Sequence, residues 1–359
     1  MIECIIREKQ INQEIISNRK ETFRQFNDFY KEHVDDINEI VFVGSGSSNT
    51  SSTAAYQIVE RFSGISTIAY LPNLFLNKTV YNPKALYVFI SQTGNSTLTQ
   101  QAVIKVRELG CHTVAVSEKA DTKIARETEL FINMGCGFEE YGMRTIGYCA
   151  TILTELLMGL EMGLINGHID QETYDRQIAE AWATTENHDR VVELANSWFD
   201  MVKDEIASGE SFMIYGPKSL FGVALEAALK ILEVDKRYAA VGYEMDDGLH
   251  GPNMGMTSKN RVIILNDGVS DQALAEGIAK YVKTEVGPAY IIGKSTMDEK
   301  DLPLDFVSTE FIALEFAPII QILSYRLAVD FGVEVPLFKD MILPDQKYFN
   351  THSEHLGKE

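Results

Sequence analysis

Two turns in this 359-residue sequence carry the residue types that hold an anion without a cation. Ser91-Gln92-Thr93-Gly94-Asn95-Ser96 follows the apolar run YVFI and precedes a helix predicted to begin near Thr97. Three hydroxyls around a glycine at a helix start make a phosphate cradle, because the orphan N–H groups and the helix dipole both favour negative charge there. The earlier turn, Val43–Thr53 (VGSGSSNTSST), also sits between a strand and a helix. There Gly46 lets the backbone approach closely, and Ser47 and Ser48 add donors. Its spacing fits neither the G-x-G-x-x-G dinucleotide pattern nor a P-loop with its lysine. Either turn alone reads equally well as a Ser/Thr cap. Two of them on strands of one doubly wound sheet open at the same carboxyl edge, where ligands bind.

A third group suits proton transfer. Within Ala224–Glu233 (ALEAALKILE), Glu226, Lys230 and Glu233 fall at i, i+4 and i+7 and share one helix face. On an exposed helix such pairs are worth only a few tenths of a kcal/mol. The surrounding alanines and leucines predict a largely buried helix, and buried carboxylates are paired or functional. His250 stands in Gly248-Leu249-His250-Gly251-Pro252. A lone histidine is more often structural than catalytic.

Together these motifs resemble the SIS (sugar isomerase) family, and most closely the isomerase half of glucosamine-6-phosphate synthase with its deglycase and deaminase relatives. The resemblance runs from about residue 38 over nearly the whole chain. It implies that Gly46, Ser47 and Ser48, with Ser91, Gln92, Thr93 and Ser96, grip the phosphate of a hexose 6-phosphate. It implies that Glu233 moves a proton between C1 and C2, with Glu226 and Lys230 lining the pocket. His250 would open the sugar ring by reaching into the partner's pocket of a homodimer with shared active sites. The segment between Glu233 and His250 is one residue longer than in the synthase. In Tyr141–Gly147 the family lysine is missing, and Thr145 is left to contact the sugar. Lys339 and Lys347 both lie near the place of the family's tail lysine without matching its motif, so the role falls to neither. The second acidic turn, NDGVSD, has lost the cradle, which leaves one phosphate site per chain, in the first domain.

The substrate expected from this resemblance is a nitrogen-bearing hexose 6-phosphate, handled by deaminase, isomerase or deglycase chemistry. No glutaminase cysteine opens the sequence, so cleavage is expected rather than glutamine-dependent synthesis. The alternatives are a plain aldose–ketose isomerase and a sugar-phosphate sensor without turnover. A sensor would need the cradle but not Glu233 and His250, and their presence favours an enzyme.

The elements that must position these residues follow from apolar runs. EIVFVGSG, STIAYLP, ALYVFISQTG, HTVAVSE and LFINMG recur with helical segments between them, which predicts βαβ units around a buried parallel sheet. The alternation restarts at ESFMIYGP, RVIILNDG and AYIIGK, at an offset of about 170–175 residues, which points to a duplicated domain. The expected fold is α/β, two tandem doubly wound parallel-sheet domains. Residues 1–36 form an N-terminal helical segment, 37–166 the first domain, 167–195 a helical connector, 196–334 the second domain and 335–359 an ordered tail. A net charge of −20 excludes a nucleic-acid backbone as partner and repels anionic metabolites at long range, so local donors must hold the phosphate. No stretch approaches about 18 consecutive apolar residues, and the start lacks a signal-peptide core, so the expectation is a cytoplasmic protein without a membrane partner. Cys4, Cys111, Cys136 and Cys149 have no metal-ligand spacing; reduced core thiols are expected, with no metal and no cofactor.

Overall fold

The computed structural model describes residues 1–341 and 348–352. The chain divides into two compact units. The N-terminal unit holds residues 10–179 and the tail from Leu337; the C-terminal unit holds residues 1–9 and 180–336. The predicted N-terminal helical segment is two helices, α1 (Ile2–Thr22) and α2 (Arg24–His33). The first turns of α1 belong with the C-terminal unit, where His188 Nε2 donates to the Ile5 carbonyl at 2.8 Å and Lys9 pairs with Asp189.

In the N-terminal unit, β1 (Glu39–Gly44), α3 (Ser47–Ser63), β2 (Ser66–Tyr70), α4 (Pro72–Leu76), β3 (Ala85–Ile90), α5 (Thr97–Glu108), β4 (His112–Ser117), α6 (Lys123–Glu127) and β5 (Leu130–Asn133) follow in order. The sheet is parallel, ordered β2-β1-β3-β4-β5. β1 and β3 are buried almost throughout, as their unbroken apolar runs require when helices cover both faces. Their register pairs Val43 with Phe89 and Gly44 with Ile90, so their carboxyl ends lie side by side. Phe75 packs edge-on against Tyr87 and Phe89 on one face. On the other, α7 (Ile146–Ile165) lies so close to α3 that a Cβ on Gly163 would stand 1.9 Å from the Phe62 carbonyl oxygen. α7 starts only at Ile146, because Glu139 holds residues 139–145 as a loop.

The connector contains α8 (Gln171–Glu186) and α9 (His188–Ala207), which runs well past residue 195. The C-terminal unit continues with β6 (Ser211–Gly216), α10 (Ser219–Lys230), β7 (Ala239–Glu244), β8 (Asn260–Asn266), α11 (Gln272–Tyr281), β9 (Ala289–Gly293), β10 (Leu302–Pro303) and α12 (Ile312–Val329). Read from β7, its sheet order is β7-β6-β8-β9-β10, the same topology as the N-terminal sheet. Two of its strands had no sequence signal. β7 is an edge strand with alternating exposed residues, and β10 is two residues long.

Among the described residues, α7 and α12 are the two helices of a length and hydropathy able to cross a membrane. Each is the central helix of its own unit, with 89% and 83% of the apolar window buried there. The described tail lies on the N-terminal unit. Leu337 bridges to Tyr141, Phe338 N donates to Glu140 O at 2.9 Å, and the Arg144 guanidinium sits 5.4 Å over the Phe338 ring.

Candidate functional site

The expected residues fall into two constellations, one in each unit. In the N-terminal unit both hydroxyl-rich turns leave the sheet at the paired carboxyl ends of β1 and β3. Gly46 precedes α3 with φ 58° and ψ −131°, a conformation that favours glycine. Ser47 and Ser48 begin the helix and are partly exposed. The Ser48 carbonyl accepts from the hydroxyls of Ser51 and Ser52, at 3.1 and 2.9 Å. Ser52 also lies 2.6 Å from Glu155 on α7, a wholly enclosed carboxyl whose pKa burial pushes well above the ordinary value. Burial thus favours the neutral form of the carboxyl behind this turn.

The second turn is tighter. Gly94, at φ 64°, lies so near Thr122 that a Cβ would stand 2.2 Å from its side chain. The backbones of Ser91 and Gln92 are tied to β4 and its following residue through Val116 O and Glu118 N. Their side chains are not so committed. Among the described residues no hydrogen bond engages the hydroxyls of Ser48, Ser91 or Thr93, and the buried Gln92 Nε2 has no acceptor. Hydroxyls and an amide so placed are able to donate to the oxygens of an anion without a cation. Ser96 caps the α5 position and its hydroxyl accepts from Thr99, at 2.9 Å. The tail crosses here. Thr97 N donates to Thr351 O and Thr97 Oγ1 to Asn350 O, both at 2.9 Å, and Ser96 bridges to His352.

Thr145, expected to contact the sugar, stands immediately before α7. It is wholly buried, and both its N–H and its hydroxyl donate to Glu139 Oε1, at 2.6 and 2.9 Å. Glu139 also accepts the N–H groups of Ile146 and Gly147, each at 3.2 Å, and so places a carboxylate at the start of α7. Gly147 in turn seats Gln92, since a Cβ there would lie 1.9 Å from Gln92 Oε1. Glu139 was not singled out from sequence. A capping carboxylate is sought three residues into a helix, and this one reaches forward from a loop six residues before Thr145.

In the C-terminal unit, Glu226 and Lys230 on α10 are wholly buried. Lys230 Nζ lies 3.1 Å from Glu226 Oε1 and 2.7 Å from Glu233 Oε2. Burial works against the ammonium, but the two carboxylates outweigh it and hold the Lys230 pKa above its ordinary value. Glu233 differs from Glu226 in being open, with 37% of its side chain exposed. It stands on a π-helical turn, Ile231–Asp235, which widens the end of α10; such turns concentrate at functional sites. The turn ends at Lys236 in a left-handed conformation, and the buried Asp235 is clamped by Arg237 at 2.7 and 2.8 Å. Glu233 is therefore the carboxylate that an incoming molecule can reach, with its charge already met by a fixed ammonium.

His250 follows β7 in a short turn, with 71% of its side chain exposed, and its ring Nδ1 lies 2.9 Å from the carbonyl of Asp246. The turn Asn266–Asp271, which follows β8 as the cradle follows β3, spends its donors internally: Asp267 accepts from Val269 N and Ser270 N, at 2.9 and 2.6 Å. At the place of Gly46, Lys218 keeps nearly the same backbone, with φ 46° and ψ −124°. Lys339 is exposed in a short turn of the tail, and Lys347 lies outside the described residues. All four cysteines are buried free thiols, and among the described residues no three His, Cys, Asp or Glu side chains converge as a metal site would require.

Residues 34–156, which contain both cradle turns, match the family described as the SIS domain. This stretch is a SIS domain. Over 295 residues the chain is 24% identical to glutamine–fructose-6-phosphate aminotransferase (isomerizing) of Sulfolobus acidocaldarius, a match covering 82% of this chain and 48% of that protein. The chain thus spans about half or less of the length of the curated relatives it matches first. Among solved structures, the C-terminal domain of glucosamine-fructose-6-phosphate aminotransferase from Francisella tularensis superposes with a TM-score of 0.82 at 17% identity, covering 92% of this chain and 97% of that one. Glucosamine-6-phosphate deaminase from Thermotoga maritima superposes with a TM-score of 0.69 at 20% identity, covering 93% and 100%. At these identities the likeness establishes a shared fold, which continues beyond the SIS domain into the C-terminal unit.

Proposed function

We propose that this protein is an enzyme acting on C1 and C2 of a nitrogen-bearing hexose 6-phosphate, as an amino-sugar-phosphate deaminase and isomerase or as a deglycase. The observation that carries the reading is Lys230, buried between two carboxylates of which only Glu233 is open. A carboxylate paired with a fixed ammonium and open to a ligand can serve as general base for a carbon acid next to a carbonyl or iminium. The uncommitted hydroxyls of Ser48, Ser91 and Thr93 and the Gln92 amide supply the grip on phosphate. With a 2-amino aldose, Glu233 takes the proton from C2 and returns it to C1. The C2 ketimine left behind is split by water into a ketose and ammonia. With a 1-amino ketose the same transfer runs from C1 to C2, and water releases the amine from an aldimine. His250 assists ring opening, and its exposure supports service to the partner's pocket in a homodimer with shared active sites. The names carried by relatives of the same fold, a glucosamine-6-phosphate deaminase among them, support the nitrogen-bearing substrate.

Incubation with glucosamine 6-phosphate, fructoselysine 6-phosphate and glucoselysine 6-phosphate, without glutamine, tests this by mass spectrometry. Free ammonia or lysine should appear with a hexose 6-phosphate. If all three are inert while fructose and glucose 6-phosphates interconvert, the protein is a plain aldose–ketose isomerase.

A further inference from the structure

We propose that Tyr215 and Glu244 are positioning residues for His250, holding its turn so that the neutral imidazole carries its proton on Nδ1 and offers Nε2 as the proton acceptor. The inference rests on the ring-opening role given to His250 above, and its geometry lies wholly within the C-terminal unit. A ring nitrogen facing a carbonyl oxygen must donate, because the carbonyl has no proton to give. His250 Nδ1 stands 2.9 Å from Asp246 O, so Nδ1 bears the hydrogen and Nε2 is left with its lone pair.

An exposed imidazole holds one tautomer only if its backbone is held, and here both ends of the turn are tied. At the start, Glu244 Oε2 accepts the N–H groups of Asp246 and Asp247, at 2.8 and 3.0 Å. In the middle, Leu249 N donates to Asp246 O at 2.9 Å and His250 N to Asp247 O at 3.1 Å. At the end, the buried Tyr215 donates its hydroxyl to Gly248 O at 3.3 Å. The Tyr215 ring packs 5.4 Å from that of Tyr243, and the chain crosses it so closely that a Cβ on Gly248 would lie 2.2 Å from Tyr215 Cε1. Glycine is what lets the turn rest on the ring. The charged groups of this turn and of the strand before it are all acidic: Asp246, whose carboxylate lies 3.6 Å from Nδ1, Asp247 and Glu244. The Asp246 carbonyl first, then its carboxylate, raises the pKa of the imidazole above the ordinary value, so it is a stronger base than a free histidine.

The test is two-bond proton–nitrogen NMR on the full chain carrying ¹⁵N-histidine, with His250→Gln to assign the resonance. At alkaline pH the wild type should show His250 protonated on Nδ1 and bare on Nε2. Tyr215→Phe and Glu244→Gln should each move it toward the Nε2-protonated form, and His250-dependent turnover should fall roughly tenfold in kcat with KM unchanged. A wild-type His250 protonated on Nε2 overturns the proposal, as does a tautomer unchanged in both variants. The spectrum needs no turnover, so inactive sugars would count against the proposed reaction and not against this assignment. Glu244→Gln, at the edge of the sheet, keeps the test open if loss of the buried Tyr215 hydroxyl impairs folding.

Discussion

Lys230 is an ammonium held out of water by its neighbours, and its stability depends on both of them. Removing it interrupts a buried ion pair with Glu226, a loss of about 3–5 kcal/mol. Lys230→Met should therefore lower unfolding stability in urea by that amount, and Glu226→Leu in the same chain should restore much of it. A loss below about 1 kcal/mol would mean that the pair is not closed to solvent. Ser91→Ala with Thr93→Val removes two hydroxyls that, on the proposed reading, donate to a charged phosphate. Affinity for fructose or glucose 6-phosphate should weaken by roughly 3–6 kcal/mol before compensation. Unchanged affinity in calorimetry would place the phosphate elsewhere.

At the scale of elements, what the sequence reveals depends on how a residue's environment is made. β1 and β3 are buried on both faces, so each is written as an unbroken apolar run. β7 lies at an edge, with Ala239 and Val241 exposed, and AAVGYE therefore carries neither a buried run nor a clean alternation. The π turn after α10 is invisible because ILEVD continues a helical pattern, while the change is in backbone hydrogen bonding, Lys236 N reaching Ile231 O. The face shared by Glu226, Lys230 and Glu233 was legible from spacing; that Glu233 alone is open was not. The resemblance marks Thr145 as a sugar contact, but its partner Glu139 was not legible from the sequence, because the reach is set by a loop. Glu155 gives α7 a pH-dependent element. Its folded pKa is raised by burial above the ordinary 4.5, so the folded protein binds this proton more readily than the unfolded chain. Stability from it is complete below pH about 4.5 and falls as pH rises through the folded value. Glu155→Gln, which needs no proton, should lose that dependence and melt higher than wild type at neutral and alkaline pH. Parallel melting curves of the two proteins across that range would mean that Glu155 titrates normally.

Over the whole molecule, one topology occurs twice with different chemistry at the loops. The strand orders β2-β1-β3-β4-β5 and β7-β6-β8-β9-β10 coincide, and Lys218 keeps the backbone of Gly46. Among the described residues, the N-terminal copy leaves the Ser48, Ser91 and Thr93 hydroxyls of its turns uncommitted, while in the C-terminal copy Asp267 takes up backbone N–H groups of its turn and the Glu226–Lys230–Glu233 group lies on α10 and the π turn after it. On the proposed reading, function lies in loops and one helix face, not in the fold. If His250 serves the partner's pocket, mixing His250→Ala and Glu233→Gln proteins should restore activity that neither has alone. Failure to complement, with subunit exchange shown independently, would confine His250 to its own chain. The most direct test of the central claim, that Glu233 moves the proton between C1 and C2, pairs binding with turnover in one substitution. Glu233→Gln should bind the nitrogen-bearing sugar phosphate with wild-type affinity by calorimetry and release neither amine nor hexose 6-phosphate. Turnover at the wild-type rate by that protein would contradict the account.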